Sequence, residues 1–266
     1  MGKLVTFWSP FIGHGMTTSS LCAITGGFLL QFPEWNIAIS YTQKESHDLL
    51  GKLDNRCGLQ SKKELYENVG LNAMKLYVRQ MELTNEIIWR CGLPLDVKTI
   101  NLYPNTCNSS GDETLLYQLL TKQLKQAFDV VFLDLGTGNR KDAVMYMSEA
   151  DMAIILLPQE PSYVERFIRE EEQYLEQAKY GIVFGGSLIG SKYNCSYYMK
   201  RGEKIRNSRI LGEIYRNADF FDAMCDGKTI DFFLRNQLVA KKEENYEFIF
   251  QAKKTAKCIG KKIISS

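Results

Sequence analysis

The sequence has only two histidines, His14 and His47, and neither has an acidic or cysteine partner at metal-ligand spacing, so no metal triad is predicted. Its seven cysteines are scattered, odd in number and never spaced as C-x-x-C. That excludes a zinc ribbon and a disulfide framework, and it predicts free thiols in a reducing cytosol. No apolar run approaches the roughly 18 residues of a membrane-spanning helix. The segment Met1–Trp8 does not read as a signal peptide, because its apolar run stops at Ser9-Pro10 with no small-residue cleavage site after it. An excess of one charge is missing too. The 33 Lys+Arg nearly balance the 31 Asp+Glu, and a net charge of +2 argues against a protein built to coat nucleic acid. Neither a G-x-S-x-G elbow nor a Cys–His nucleophile signature occurs. No Pro/Ser-rich linker, repeat or low-complexity tract divides residues 1–266, which read as one domain.

What is present is an alternation of short apolar runs and helical patterns. Strands are predicted at Leu4–Trp8, Asn36–Ser40, Val97–Tyr103, Val130–Leu135, Met152–Leu157, Ile182–Phe184 and Ile210–Ile214. Helices are predicted at Thr17–Gln31, through much of 45–90, and at Thr114–Ala127, Ser162–Ala178, Lys228–Asn236 and Asn245–Ile264. Apolar strands without polar alternation are those of a parallel sheet covered on both faces. The expected fold is therefore α/β, a doubly wound and mostly parallel sheet. Ligands on such sheets bind at the carboxyl ends of the strands.

The end of the first strand carries a loop that opens a helix: Ser9-Pro10-Phe11-Ile12-Gly13-His14-Gly15-Met16-Thr17-Thr18. The context is that of a phosphate-binding loop, in which backbone N–H groups and a helix N-terminus face an anion. Gly15, Met16 and Thr17 occupy the G-K-T positions of the G-x-x-x-x-G-K-[ST] pattern. Gly13 and Gly15 would let a phosphate approach the backbone. Thr17 would offer a hydroxyl to Mg²⁺. The lysine is missing, because Met16 stands in its place without charge. The same residues also suit a tight strand-to-helix turn with no ligand. A second element is the strand Asp129–Leu135, which carries Asp134 near its end and is followed by Gly136-Thr137-Gly138. An acid there holds Mg²⁺ through water in P-loop proteins, although an acid at a strand end can also simply cap the next turn. Gly138 lies where a γ-phosphate-sensing switch would sit.

With Gly13–Thr18, Asp134–Gly138, the run Ala150–Glu160, and Ile210–Ile214 with Ala223 and Gly227, the chain resembles the ParA/MinD group of deviant Walker A ATPases over residues 1 to about 235. Within that group it is most similar to the TadZ/CpaE-like localisation proteins of Tad-type pili. The resemblance implies a P-loop fold. It implies ATP and Mg²⁺ at Gly13, His14, Gly15, Met16, Thr17, Thr18, Asp134 and Gly138, with Thr17 and Asp134 on the metal. It also implies a homodimer formed across the loop face, protein partners in a secretion or pilus machine, and a cytoplasmic location, peripheral to the inner membrane face.

The departures from the family pattern bear on catalysis. Phe11 stands where the family's signature lysine would reach across the dimer, and it would offer an apolar contact instead. Ser40-Tyr41-Thr42-Gln43 replaces the acids after the second strand. Gly185-Gly186 stands where an adenine-contacting Asn is common. Each lost charge-stabilising contact costs about 3–4 kcal/mol of barrier, so hydrolysis is expected to be weak or absent. Three readings remain open: a nucleotide-binding pseudo-ATPase that places an envelope machine, an active partition ATPase, and a scaffold without nucleotide.

Two basic features have two readings each. Lys200, Arg201, Lys204, Arg206 and Arg209 form a DNA-binding patch or a solvated helix face. The last helix combines Phe248, Ile249, Ala252, Ala256, Ile259, Ile263 and Ile264 with Lys253, Lys254, Lys257, Lys261 and Lys262. It either lies on an anionic membrane or packs on the sheet.

Overall fold

The computed structural model describes residues 1–42, 48–53, 70, 73–74, 77, 84–102, 121–138, 140–200 and 209–265. Eight strands form one sheet: β1 Lys3–Ser9, β2 Ile37–Tyr41, β3 Leu93–Pro94, β4 Thr99–Asn101, β5 Val130–Thr137, β6 Met152–Leu157, β7 Tyr180–Ser187 and β8 Ile210–Tyr215. Their order across the sheet is β3-β4-β2-β5-β1-β6-β7-β8. All described pairings are parallel except β3 with β4. The expected doubly wound α/β sheet is what forms.

The helices are α1 Thr17–Gln31, α2 Asp48–Leu53, α3 Asn85–Cys91, α4 Arg140–Glu149, α5 Pro161–Arg166, α6 Cys195–Lys200, α7 Ala218–Cys225, α8 Thr229–Arg235 and α9 Tyr246–Ile264. The described end of a further helix occupies 121–127. Side chains alternate across each strand, so consecutive strand residues feed two separate cores. Val5, Phe7, Val130, Phe132 and Ile154 meet α1, α2, α7, α8 and α9 on one face. Leu4, Trp8, Val131, Leu133 and Ile155 meet α3 to α6 on the other. Burial on both faces explains why the strands show no polar alternation.

The helix α1 is the buried axis of the first layer, with Leu21 to Phe28 all buried. Close packing requires Gly26 against α8 and Gly27 against α9. A Cβ on Gly26 would lie 2.0 Å from the Phe233 ring, and one on Gly27 would lie 2.5 Å from the Ala252 carbonyl oxygen. The apolar stripe of α9 is consumed by this contact: Phe248, Ile249, Ala252, Ala256, Ile259 and Ile263 are buried, and only Ile264 of the predicted stripe is exposed. The membrane-lying arrangement of that stripe is not the one the fold adopts. No helix among the described residues is long and apolar enough to cross a membrane.

The predicted helix at Ser162–Ala178 is interrupted. It runs as α5 to Arg166, then as a π turn over Phe167–Glu171 and a 3₁₀ turn over Glu172–Leu175. The π turn carries Glu171 inward, where it accepts two hydrogen bonds from Arg140 at 2.7 and 2.9 Å. Arg140 also lies 4.2 Å over the Tyr174 ring. Arg140→Ala would leave a buried carboxylate without its cation, so urea unfolding is expected to show a loss of about 1–3 kcal/mol. The helices α4, α6 and α7 and the strand β3 are absent from the sequence expectation; α6, α7 and β3 are too short for a periodic signal, and α4 buries only Ala143 and Met147 and so shows little apolar periodicity. Most of the helical prediction over 45–90, and residues 114–120, fall outside the described residues.

Candidate functional site

The carboxyl ends of β1, β5 and β7 converge on the N-terminus of α1. Asp134 stands opposite Phe7 on β1 and opposite Tyr41 on β2. The β1–β5 register shifts just beyond it, between Phe7 and Ser9, and Gly136 (φ 68°) and Gly138 (φ 77°) take the left-handed conformations there. This bulge ends the ladder and turns the backbone of 136–138 toward the loop of residues 10–16.

That loop is shaped by its glycines. Gly13 has a φ of 76°, and the His14 N–H donates to the Phe11 carbonyl at 3.2 Å, closing a turn. A Cβ on Gly15 would fall 2.1 Å from Ser9 Oγ, so the loop lies tight on the end of β1 only with glycine there. Met16 is the N-cap of α1 with φ 47°, and no side chain caps the helix. The N–H groups of the first turn therefore face an open hollow. This hollow, about 230 Å³, is walled by Gly13, Met16, Thr17, Thr18, Gly136 and Thr137.

Two hydroxyls decide the chemistry of the hollow. Thr17 is only 4% exposed, and its Oγ1 has no hydrogen-bond partner among the described residues. A buried hydroxyl without a partner costs free energy unless a ligand completes it. Thr18 is engaged, donating from Oγ1 to Asp134 Oδ2 at 2.8 Å, while the Gly136 N–H donates to Oδ1 at 2.8 Å. Burial raises the Asp134 carboxyl above the usual aspartate range. The Gly136 N–H, the Thr18 hydroxyl and the Lys52 ammonium pull the other way. A carboxylate has about four lone-pair sites, so with these two donors Asp134 keeps capacity for about two more. An unpartnered hydroxyl, a desolvated carboxylate and an uncapped helix N-terminus fit a magnesium–phosphate group.

The other predicted residues take different places. His14 leans on the Tyr163 ring at 5.0 Å and faces a second, larger hollow. Gly138 does not wall the small hollow: its N–H donates to the Ser9 carbonyl at 3.0 Å, and its carbonyl accepts from Trp8 Nε1 at 3.0 Å. Phe11 is 4% exposed, set edge-on against Tyr163 at 4.9 Å with the Arg166 guanidinium 5.4 Å over its ring. It is a core residue of the β1–α5 contact, which corrects the expectation that it offers an apolar surface to a second subunit. Ile12 is the most exposed apolar side chain of the loop, at 75%.

The second hollow, about 840 Å³, opens beside the first. Met16, Ser20, Gly186, Tyr193, Arg216 and Phe221 are among its walls. Its volume is that of a site for a drug-sized ligand, within the range of about 300–1,000 Å³. Gly185, read in the sequence as part of a lost Asn, is required by packing, and Gly186 by its left-handed φ of 62°. A Cβ on Gly185 would lie 2.7 Å from the Gly15 carbonyl, and one on Gly186 would lie 2.1 Å from Met16 Sδ. The two departures are thus coupled, since the Met16 side chain fills space that a side chain at 186 would need. Arg216 Nε donates to the Gly186 carbonyl at 3.0 Å and puts a cation on this wall. Sequence reading missed Arg216, whose only signal is its place just after β8.

The basic patch lies mostly outside the described residues. Of its described members, Lys200 ends α6 exposed to solvent, and Arg209 is bound to Glu172 and Tyr180.

No family model matches the sequence, and no curated protein matches it. Solved structures do match the fold. A ParA family ATPase from Chlorobium tepidum TLS is 12% identical with a TM-score of 0.67, over 94% of this chain and 97% of that one. The septum site-determining protein MinD from Pyrococcus horikoshii OT3, complexed with Mg-ADP, is 13% identical with a TM-score of 0.65, over 98% and 97%. A plasmid partition protein from Borrelia burgdorferi B31, bound to AMPPNP, is 12% identical with a TM-score of 0.64, over 98% and 100%. Nearly end-to-end superposition at such low identity shows a shared architecture, and the chain has the fold of the ParA/MinD P-loop ATPases.

Proposed function

We propose that this chain is a nucleotide-binding ParA/MinD-like protein with weak or absent hydrolysis. It would work by localising or assembling a cell-envelope machine such as a Tad-type pilus. The observation that carries the nucleotide reading is the buried, unpartnered Thr17 hydroxyl at the uncapped head of α1, one residue from the Thr18–Asp134 hydrogen bond. The Mg-ADP on the Pyrococcus protein and the AMPPNP on the Borrelia protein support it, because those ligands sit on the same fold.

In this reading a bound Mg-nucleotide supplies the phosphoryl group and the divalent charge. The chain's own residues hold it. N–H groups of the loop and of the first turn of α1 would hold the phosphates, and Thr17 Oγ1 and Asp134 would hold the metal. Met16 gives the phosphates no charge. With Phe11 buried in the core, no cation projects from that position either. Each missing contact of this kind slows phosphoryl transfer by about a thousandfold. Nucleotide would then act as a conformational ligand more than as a fuel. A homodimer, if it forms across the loop face, would use Ile12 rather than Phe11.

Titration calorimetry with ATP and ADP, each with and without Mg²⁺, tests the reading. Micromolar, Mg²⁺-dependent binding is expected, weakened by roughly tenfold or more in Thr17→Ala. Absence of heat at millimolar ATP would overturn it. Retention of the purified protein by partners from a pilus assembly apparatus, in an ATP-dependent way, is the matching test of the cellular role.

A further inference from the structure

The larger hollow carries chemistry that the phosphate reading leaves unused. It shares Gly13, Met16 and Ser19 with the small hollow, so the two are continuous. A nucleotide with its phosphates at the head of α1 would reach the larger hollow with its base. One buried group there awaits a polar ligand. Ser20 is 1% exposed, and its Oγ has no hydrogen-bond partner among the described residues. A hydroxyl can donate or accept, so it suits a polar ligand without choosing among bases. Apolar side chains are left open on the same wall. Phe221 is 59% exposed and Leu188 55%, surface that a flat ring would cover.

Other polar side chains of the wall do choose. Adenine is read by an Asn or Gln amide that offers both its oxygen and its nitrogen. Both amides on this wall are spent. Asn217 Oδ1 accepts from the Phe220 N–H at 2.7 Å, and its Nδ2 donates to Asn245 Oδ1 at 2.8 Å. Gln159 Oε1 accepts from the Leu188 N–H. Guanine is read by an Arg fork on its O6 and N7. Arg216 engages Nε with the Gly186 carbonyl, and its two Nη groups make no hydrogen bond among the described residues. Asp222, further along in α7, also lines the hollow. Its carboxylate makes no hydrogen bond or ion pair among the described residues. One stretch after β8 thus presents a free donor fork and a free acceptor pair to the same space.

We propose that the larger hollow takes a guanine base in preference to adenine, with the Arg216 guanidinium donating to O6 and N7 and the Asp222 carboxylate accepting from N1–H and the 2-amino group. The inference rests on the nucleotide reading above and deepens it by naming the base. Adenine in the same place would turn its 6-amino group toward the guanidinium, donor against donor. Its N1 lone pair would face the carboxylate, acceptor against acceptor. Such a site rejects the wrong base because its own polar groups are then left unpaired.

The test is calorimetric titration of the full chain with GTP, ATP and XTP, each with Mg²⁺. Wild type is expected to bind GTP about tenfold more tightly than ATP, the discrimination of one good bidentate pair. ATP keeps its phosphate contacts and stays in the measurable range. Arg216→Ala and Asp222→Ala should each bring the GTP-to-ATP ratio close to one. Asp222→Asn should go further and favour XTP over GTP, because the new amide donor meets the 2-carbonyl of xanthine. A misfolded variant would gain no ligand, so this arm separates recognition from folding. Glu160 is a second carboxylate on the wall, and Glu160→Ala should keep the wild-type ratio. If wild type binds ATP as tightly as GTP, or more tightly, the inference is overturned and the nucleotide reading stands. If Glu160→Ala removes the GTP preference and Asp222→Ala does not, the inference is again overturned. If wild type binds no nucleotide, the nucleotide reading falls and this inference falls with it.

Discussion

Gly27→Val is expected to lower the thermal unfolding midpoint by roughly 6–12 °C, the shift that about 3 kcal/mol produces in a chain of this size. The sign is not obvious from local preference. Glycine in a helix interior costs about 1 kcal/mol against alanine, so a side chain at 27 would help α1 by itself. Tertiary contact reverses this. The added Cβ would lie 2.5 Å from the Ala252 carbonyl oxygen, 2.8 Å from its carbon and 3.0 Å from the Ala256 methyl. Two of these three are backbone atoms of α9, which cannot rotate aside. The two helices would have to separate, and separation opens the core around Phe28, Phe233 and Phe248. Overpacking of this kind costs about 1–3 kcal/mol for small insertions and more for a branched side chain. Gly27→Ala should show the same sign with a smaller shift. Circular dichroism melts check both, and an unchanged midpoint for the valine variant would mean that α1 and α9 do not cross at this distance.

Asp134→Asn is expected to abolish the Mg²⁺ dependence of nucleotide binding while making the ligand-free protein more stable at neutral pH. The amide preserves the local geometry: its oxygen accepts from the Gly136 N–H, and its nitrogen donates to the Thr18 hydroxyl. What it removes is a charge held in the interior. Burial raises the carboxyl's folded-state pKa above the ordinary 3.8. Between the ordinary value and the raised one, the folded protein binds more protons than the unfolded chain. Stability therefore falls as pH rises through that window, and above it the ionised carboxylate is a constant cost. The asparagine variant lacks this cost. Its advantage over wild type should be largest at neutral pH and should shrink toward pH 4. Added Mg²⁺ with nucleotide should reverse the order, stabilising wild type and leaving the variant unchanged. Denaturant titrations at a series of pH values measure both. A variant less stable than wild type at pH 7 would show that the carboxylate is already compensated in the absence of metal.

The two variants separate the roles of the molecule's halves. Gly27 belongs to the scaffold that fixes where α1 starts. Asp134 belongs to what that start is used for. A stable scaffold with a costly buried acid is the expected pattern for a site whose charge is completed by a ligand.

Much of this was legible in the chain of residues. The α/β class, the parallel sheet and the extent of α1 follow from apolar runs and helical periodicity, which are local properties. So does the candidate loop, because Gly13, Gly15 and Thr17 declare it by spacing alone. Other features depend on residues far apart in sequence. Thr18, rather than Thr17, bonds Asp134, and that pairing exists only once β5 lies beside β1. Phe11 is core because Tyr163 and Arg166, some 150 positions on, fold over it. Gly185 and Gly186 look like losses in the sequence, but Gly185 is a packing requirement set by the Gly15 backbone and Gly186 a conformational one set by its left-handed φ. The stripe of α9 could have served a membrane or a neighbouring helix, and only the glycine surface of α1 selects the helix. Sequence alone thus determined which segments become strands and helices, through periodicity and turn chemistry. The tertiary structure decided which side chains are spent on the core and which remain for a ligand, because burial and hydrogen-bond completion are set by partners that local sequence does not contain.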